Sequence, residues 1–497
     1  MECQSLKFRH YYAPTYCFLF NKWGAIVGQD VPFKAVNLGG WLVTEGWMTP
    51  SLFDGITNKD LLDGTHVSLR STKLNTFLAA ENGGGAGLVA DTTSISGWET
   101  FRLWRINETT FNLRVFNKQF VGLKDQSQDG KIVAISTTPG PAETFQIVRN
   151  ENDPYRIRLR ASNGLFLQAQ NGSSVTADFG ESADWGDQNP SVFQVIIGNS
   201  LHGEYQVTNG HGPDRAPEVM KEHWSNYIVE DDFRFMSEKG LTAVRIPVGW
   251  WIKYDQTPPA PFVGGSLQVL DNAFSWAEKY NLKVMVDLHG VPRSQNGNDH
   301  SAARDGYAEW GDSDINETVE IIEFLSQRYA DRPSFVAIAL MNEPSAASIT
   351  LDTLTKYYKA GYDAVRRHSF SAYVILSNRL GNADNRELLP LGGTLPRSVI
   401  EVHYYNLFWD YFNTLTVQGN IDYVNNERAQ KLREVTQVNG EWTITNATME
   451  DYQRFEKAQL NVYGKATFGW AYWSYKCVFG HWSLKWMIEN NYINLKS

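Results

Sequence analysis

The sequence predicts an α/β protein: a (β/α)₈ TIM barrel carrying an inserted all-β domain. Three observations lead there. From residue 216 onward, apolar strand-like runs alternate with amphipathic helical stretches. Residues 61–199 break that alternation and repeat a different layout with a period of about 45 residues. A strand-like run, KAVNLGGWL at 34–42, stands ahead of the repeat, so the repeat interrupts the alternation instead of preceding it.

Each element has its own warrant. APEVMKEHWSNYIVEDDFRFMSEKG (216–240) has apolar residues at helical spacing and Gly240 as a stop, and TAVRIPVGW (242–250) then reads as a buried strand. The unit recurs: LQVLDNAFSWAEKYN precedes KVMVDLHG (283–290), INETVEIIEFLSQRYAD precedes FVAIALMNEP (335–344), and LDTLTKYYKAGYDAVRRH precedes AYVILSN (372–378). VIEVHYYN (399–406), VTQVNGEW (435–442) and ATFGWAYWSY (466–475) complete a set of eight with the run at 34–42. Strands alternating with helices pair in parallel through right-handed crossovers, and eight such units close into a barrel. An open doubly wound sheet is the alternative, but no Gly-rich phosphate loop follows an early strand.

Within the insert, three stretches share short strands that close on a Phe-centred strand: Phe77, Phe120 and Phe166 correspond, as do Phe101, Phe145 and Phe193. Three copies of a four-strand unit describe a β-trefoil. The expected organisation is an N-terminal segment (1–30), a barrel from 31–60 and 200–497, and the trefoil at 61–199.

Composition narrows the partners. Net charge is −10 and no Lys/Arg cluster stands out, which argues against nucleic acid and anionic membrane. The 17 Trp, 23 Tyr and 26 Phe suit stacking on sugar rings as well as filling cores. Cys3, Cys17 and Cys477 lack metal-ligand spacing and are too few for a disulfide framework. No window approaches the run of about 20 apolar residues that a membrane span needs. Lys7 and Arg9 ahead of the apolar patch Tyr16 to Phe20 have the layout of a degraded export signal, and sequons at Asn107, Asn171, Asn316 and Asn446 suit secretion.

In a barrel of this type the C-terminal strand ends hold the chemistry. The first strand runs into Glu45, the second carries Arg245, the third ends in Asp287 and His289, and the fourth ends in Asn342 and Glu343. The sixth ends in His403 and Tyr405, the seventh in Glu441, and the eighth carries Trp473. A lone His or Trp is more often structural, as Asp287 and Asp299 are taken to be. Two glutamates on opposite strands among His, Asn, Arg and Trp form a constellation suited to glycoside hydrolysis, which needs one protonated and one ionised carboxyl. Glu343 is the expected acid/base and Glu441 the expected nucleophile, about 5 Å apart. Arg245 would keep Glu441 ionised, and the charge of Glu441 would raise the proton affinity of Glu343. Asn342 would meet a sugar 2-hydroxyl. His403 and Tyr405, on alternate positions of one strand, would orient the glutamates.

The motifs VNLGGWLVTEGW (36–47), VRIPVGWW (244–251), DLHG (287–290), SQNGNDHS (294–301), LMNEPSA (340–346), VHYYN (402–406), NGEW (439–442) and GWAYWSYK (469–476) resemble, in order, those of glycoside hydrolase family 5. The likeness is to its exo-β-1,3-glucanase branch, and the insert, which resembles a fascin-like trefoil, is similar to that of plant members. The resemblance implies a retaining enzyme that releases glucose from the non-reducing end of β-1,3-glucans or related β-glucosides. It assigns Glu343 and Glu441 to catalysis and Glu45, Arg245, His289, Asn342, His403, Tyr405 and Trp473 to substrate binding. It also implies no metal or other cofactor, a monomer, and a place outside the cell or in the cell wall. One departure is Asn439 before the glycine of NGEW, with a shortened segment after Trp442. A glucan-binding protein with little turnover is the alternative that departure allows.

Overall fold

The computed structural model describes residues 16–22, 32–124, 130–404, 406, 409–435 and 448–496. They form two compact units: one is Met1–Leu52 with Pro217–Ala302 and Ala308–Ser497, the other Phe53–Ala216 with Ala303–Tyr307.

In the first unit, eight strands close a barrel: β1 (Tyr16–Lys22), β2 (Phe33–Asn37), β3 (Ala243–Gly249), β4 (Lys283–Gly290), β5 (Phe335–Ala339), β6 (Tyr373–Ser377), β7 (Ser398–Tyr404) and β8 (Gly469–Trp473). The order around the barrel is β1-β7-β6-β5-β4-β3-β2-β8. From β7 through β2 to β8 every neighbouring pair is parallel. The helices Ser266–Lys279, Ile315–Tyr329 and Leu351–His368 make the successive crossovers from β3 to β6. Each turns an apolar stripe inward; Leu354, Tyr357, Tyr358 and Val365 are the buried face of the last. Small and medium side chains (Ala35, Ala243, Met285, Ala337, Ile375, Val399, Ala471) fill the barrel interior and leave its upper end to Trp473. Gly469 is needed where β8 starts. Its φ is +144°, and a Cβ there would lie 2.3 Å from the Phe33 carbonyl oxygen.

The expected seventh strand departs from the sequence reading. β1 lies antiparallel between β7 and β8, the place expected for VTQVNGEW at 435–442. Val435 instead ends the helix Ala429–Val435, and 436–447 lie outside the described residues. Part of the N-terminal segment expected to stand apart thus closes the barrel. The reason is local: YCFLFNK is rich in aromatic and apolar residues that favour extended chain, and an antiparallel strand satisfies the edges of both neighbours as a parallel one would.

The second unit is all antiparallel. Strands His66–Ser71, Phe101–Arg105, Thr110–Arg114, Thr144–Arg149, Arg156–Arg160 and Phe193–Ile197 pair in that order and return to the first, making a closed ring. Three hairpins join it: Phe77–Ala80 with Leu88–Thr92, Phe120–Leu123 with Ile132–Ser136, and Phe166–Asn171 with Ser174–Phe179. Phe101, Phe111, Phe145 and Phe193 are fully buried in its core. This unit extends beyond the repeat boundaries at both ends and takes in Ala303–Tyr307. Among the described residues no helix is long and apolar enough to cross a membrane.

Candidate active site

The apolar run of β5 ends at Ala339, and the chain turns out of the strand through Asn342 and Glu343. Glu343 adopts φ +49°, a left-handed conformation that costs a non-glycine residue about 1–3 kcal/mol. Its backbone is held there from both sides: the N–H donates to Ser377 Oγ at 3.4 Å, and the carbonyl accepts from Asn296 Nδ2 at 3.0 Å. The result is a buried carboxyl at the mouth of the barrel.

Two imidazoles grip that carboxyl. His403 Nδ1 lies 2.5 Å from Oε1, and His300 Nε2 lies 3.2 Å from Oε2. Burial alone would raise the proton affinity of Glu343, but His403, joined by His300, outweighs it and holds the carboxyl well below its ordinary range. The sequence reading expected the opposite direction, from the charge of Glu441. Glu441 lies outside the described residues, and the described groups that outweigh burial at Glu343 are the imidazoles His403 and His300. Reciprocally, burial disfavours a charged His300, yet Glu343, Glu45 and Asp299 push its pKa up to about 9. His403 is likewise raised, against burial, by Glu401 and Glu343.

Arg245, on β3, is fully buried beneath these groups. Its guanidinium meets Asp287 Oδ2 at 2.9 Å, Glu401 at 3.2 Å, Asn342 Oδ1 at 3.1 Å and Asn37 Oδ1 at 3.2 Å. Its expected partner was Glu441; among the described residues its ion pairs are with Asp287 and Glu401. A planar fork with five donors can serve four acceptors at once, which an ammonium cannot. His403 Nε2 stands 3.4 Å from Glu401 Oε2, so one line of alternating charge runs Asp287, Arg245, Glu401, His403, Glu343, His300.

His289, on β4, bonds through Nδ1 to Asp287 Oδ2 at 2.5 Å. Burial lowers its pKa despite that carboxylate, so the ring is neutral near pH 7. Its face lies against Trp473 at 5.5 Å between centroids and 10° between planes. Gly39 makes room for the indole, since a Cβ on Gly39 would come 2.7 Å from the Trp473 ring. Glu45, after β2, accepts from Trp47 Nε1 at 2.9 Å. Burial pushes its pKa up to about 7, against the pull of His300 and the Trp47 bond.

Glu45, His289, Asn342, Glu343, His403 and Trp473 therefore sit near or beyond the C-terminal ends of barrel strands, while Arg245 lies within β3. Tyr405 and Glu441 lie outside the described residues. Sequence reasoning missed Glu401 and the pairing of Asp287. Each precedes a chosen histidine by two residues on the same strand, so side-chain alternation placed it on the same face. It also missed His300 and Asn296, which stand on a loop where no periodicity points to them. A cavity of about 460 Å³ opens by the chain that follows Glu343, lined by Asn296, Asn298, Ser345, Ala346, Leu380 and Asn382 and not by the Glu343 carboxyl itself. Its lining is mostly uncharged and rich in amides, which suits a polyhydroxylated guest more than an ion.

Comparisons with known proteins agree with this geometry. Residues 208–477 match the family model for Cellulase (glycosyl hydrolase family 5), and residues 58–197 match a Domain of unknown function (DUF7910). A probable glucan 1,3-beta-glucosidase A of Aspergillus clavatus is 30% identical over 404 residues, covering 69% of this chain and 91% of that protein. Another of the same description from Aspergillus fumigatus is 35% identical over 235 residues, covering 47% of this chain. The match spans 55% of the Aspergillus fumigatus protein, about half its length. These relatives are fungal. The crystal structure of AoRut superposes with a TM-score of 0.50 at 18% identity, covering 59% of this chain and 89% of that one, a likeness of fold. By the family match across more than half its length, the chain belongs to glycosyl hydrolase family 5.

Proposed function

We propose that the protein is a retaining glycosidase that removes glucose from the non-reducing end of β-1,3-glucans or related β-glucosides. The observation that carries this reading is Glu343, buried at a strand end and gripped on both oxygens by imidazoles, in a chain of the glycosyl hydrolase 5 family. Glu343 is the acid/base and Glu441 the nucleophile. Asn342 turns its Oδ1 to Arg245, so its amide N–H groups are the ones to offer a sugar hydroxyl. Glu45 holds hydroxyls of the terminal sugar, Trp473 stacks on its ring, and His289 accepts at Nε2, because burial keeps the ring neutral and its one proton sits on Nδ1 against Asp287. The cavity by the chain that follows Glu343 receives the leaving sugar.

In the first half-reaction Glu441 attacks the anomeric carbon while Glu343 protonates the departing oxygen; in the second, water deprotonated by Glu343 releases glucose with its configuration retained. The second unit is read as a β-trefoil of the fascin-like, plant-type kind, on the support of its closed ring, three hairpins and threefold Phe core. The chain acts as an exported monomer.

The test is hydrolysis of laminari-oligosaccharides followed by proton NMR of the first product. β-Glucose released one unit at a time, and lost in both Glu343→Gln and Glu441→Gln, is expected. Internal fragments, α-glucose as first product, or binding with no turnover would overturn the reading, the last in favour of a glucan-binding protein.

A further inference from the structure

One titratable group at the centre of the site has no part in the chemistry above. His300, in the loop after β4, is half-buried, and its Nε2 faces the Oε2 edge of Glu343, which His403 leaves free. The same Nε2 lies 2.9 Å from Asn296 Nδ2. That amide is fixed in orientation: Nδ2 donates to the Glu343 carbonyl, and Oδ1 accepts from the Asn298 N–H at 3.0 Å. Nε2 is therefore satisfied in either protonation state. Protonated, it donates to Glu343; deprotonated, its lone pair accepts from Asn296. An imidazole with a partner for both states can give up and regain a proton without reorganising its surroundings.

Among the described residues, the charged and titratable groups around it are few. Glu343 faces it from the end of β5, and Glu45 acts on it from the loop after β2. Asp299 acts from its own loop. The His289 ring lies edge to face at 5.4 Å. His403 reaches it only through Glu343.

Resting on the hydrolytic reading, we infer that His300 is a positioning residue that keeps the proton of the acid/base: Nε2 and Glu343 Oε2 share one proton. As the leaving oxygen approaches, the proton moves from Nε2 to Oε2. It then passes to the leaving oxygen as the C–O bond breaks and its electron pair goes to that oxygen. Nε2, now bearing a lone pair, accepts from Asn296. In the second half-reaction the proton of water travels back to Oε2 and on to Nε2, while the water oxygen bonds to carbon and the glycosyl–Glu441 bond breaks. This arrangement reconciles a carboxyl that its imidazoles keep ionised with a step that needs it protonated. It also makes the alkaline limit of protonation belong to the pair and not to Glu343.

The experiment compares wild type with His300→Gln and His300→Ala on laminaribiose, whose leaving group needs a proton, and on 2,4-dinitrophenyl β-glucoside, whose leaving group does not. Across pH 4–10, kcat/KM on laminaribiose is expected to fall by about tenfold or more at pH 7, with its alkaline limb about one pH unit lower, the size of a lost proton donor. On the activated glucoside the same variants should stay within about threefold of wild type. Equal losses on both substrates, or an alkaline limb unmoved or shifted upward, would overturn the inference. A readout free of turnover is ¹⁵N-histidine NMR: Glu343→Gln should lower the titration midpoint of His300 by about one unit or more, and an unchanged midpoint refutes the sharing. A wild-type chain that hydrolyses neither glucoside would overturn the hydrolytic reading itself, while the NMR titration still reports the coupling.

Discussion

Replacing Arg245 with Met removes the one cation that two fully buried carboxylates share. Arg245, Asp287 and Glu401 are all 0% exposed, and the guanidinium approaches the two acids to 2.9 and 3.2 Å. Met keeps much of the stem volume, so the change isolates charge from packing. Breaking a buried ion pair by deleting one partner costs about 3–5 kcal/mol, because the other charge is left buried. Here two charges are left, but each keeps an imidazole, Asp287 that of His289 and Glu401 that of His403, which holds the total within that range. A loss of about 3–5 kcal/mol corresponds to a melting point roughly 4–7 °C lower for the barrel unit. The loss should depend on pH, with a definite sign. Burial tends to raise the pKa of Glu401, but Arg245 and then His403 outweigh it, so its folded pKa is depressed. A depressed carboxylate contributes stability that is present above its unfolded pKa of about 4.3 and lost as pH falls through the folded value. In Arg245→Met burial is largely uncompensated and protonation of Glu401 is favoured, so the gap between wild type and variant is wider at pH 7 and narrows as pH falls, first as the variant's Glu401 takes up its proton above about pH 4.3 and then as the wild type's does below it. Urea unfolding followed by tryptophan fluorescence at pH 7 and pH 3.5 measures both. A loss under about 1 kcal/mol, or a gap equal at the two pH values, would refute the view that Arg245 is what keeps these acids buried as anions.

Glu45→Gln tests the opposite case, a carboxyl whose folded pKa is raised, to about 7 from 4.5. The native state binds a proton that the unfolded chain gives up, so wild-type stability should fall by about 3 kcal/mol relative to the variant as pH rises from 4.5 to above 7, read as melting temperature against pH. His403→Ala removes the imidazole between Glu343 and Glu401 and should lower kcat on laminaribiose by roughly 10²–10⁴-fold with a smaller change in KM, measured by initial rates. Gly39→Ala places a methyl 2.7 Å from the Trp473 ring; the indole must move off His289, and KM should rise about tenfold as stacking on sugar is lost. Phe145→Ala empties a fully buried core site of the second unit at a cost of about 3–5 kcal/mol, seen as faster amide exchange in its ring strands and unchanged exchange in β4 and β5.

Much of the barrel was legible because its signal is one of periodicity. Helical spacing in LDTLTKYYKAGYDAVRRH and the uniformly apolar runs before Asp287 and Asn342 are what burial inside a parallel barrel demands. The closing strand was not legible, because the run that forms it is short and far from its neighbours in sequence. Pairing across the barrel is decided by which edges remain open, a property of the assembled sheet. Repeats made the second unit readable as three copies before any pairing was known. For the site, residues that end strands announced themselves: Glu343 and His403 each follow an apolar run. Asp287 and Glu401 were concealed by the same logic, since a carboxylate inside a strand reads as a defect until its partner on another strand is known. His300 and Asn296 carried no periodic signal at all, and only the fold brings their loop against Glu343.

The electrostatics of the mouth follow from one count. Among the described residues, the acids Asp287, Glu401, Glu343 and Glu45 are buried, and the groups beside them that are cationic or pushed toward it are Arg245, His403 and His300, His289 being pushed toward neutrality. Four acids share three cations along one line, so the acid at the end of the line receives the smallest share of positive charge. Glu45 is that end, and it is the one whose proton affinity burial succeeds in raising. Any additional carboxylate brought near Glu343 would need to draw on the same cations, and the nearest to give is His300, the half-buried member held by the longest contact to Glu343. A buried anion entering such a site would be repelled, whereas an uncharged sugar would exchange the hydroxyl bonds it makes with water for bonds to Asn342, Glu45 and His289 without disturbing the count. On the proposed reading, this distribution of charge favours neutral polyhydroxylated substrates before any shape is considered, and the inferred proton lies at the Glu343–His300 contact.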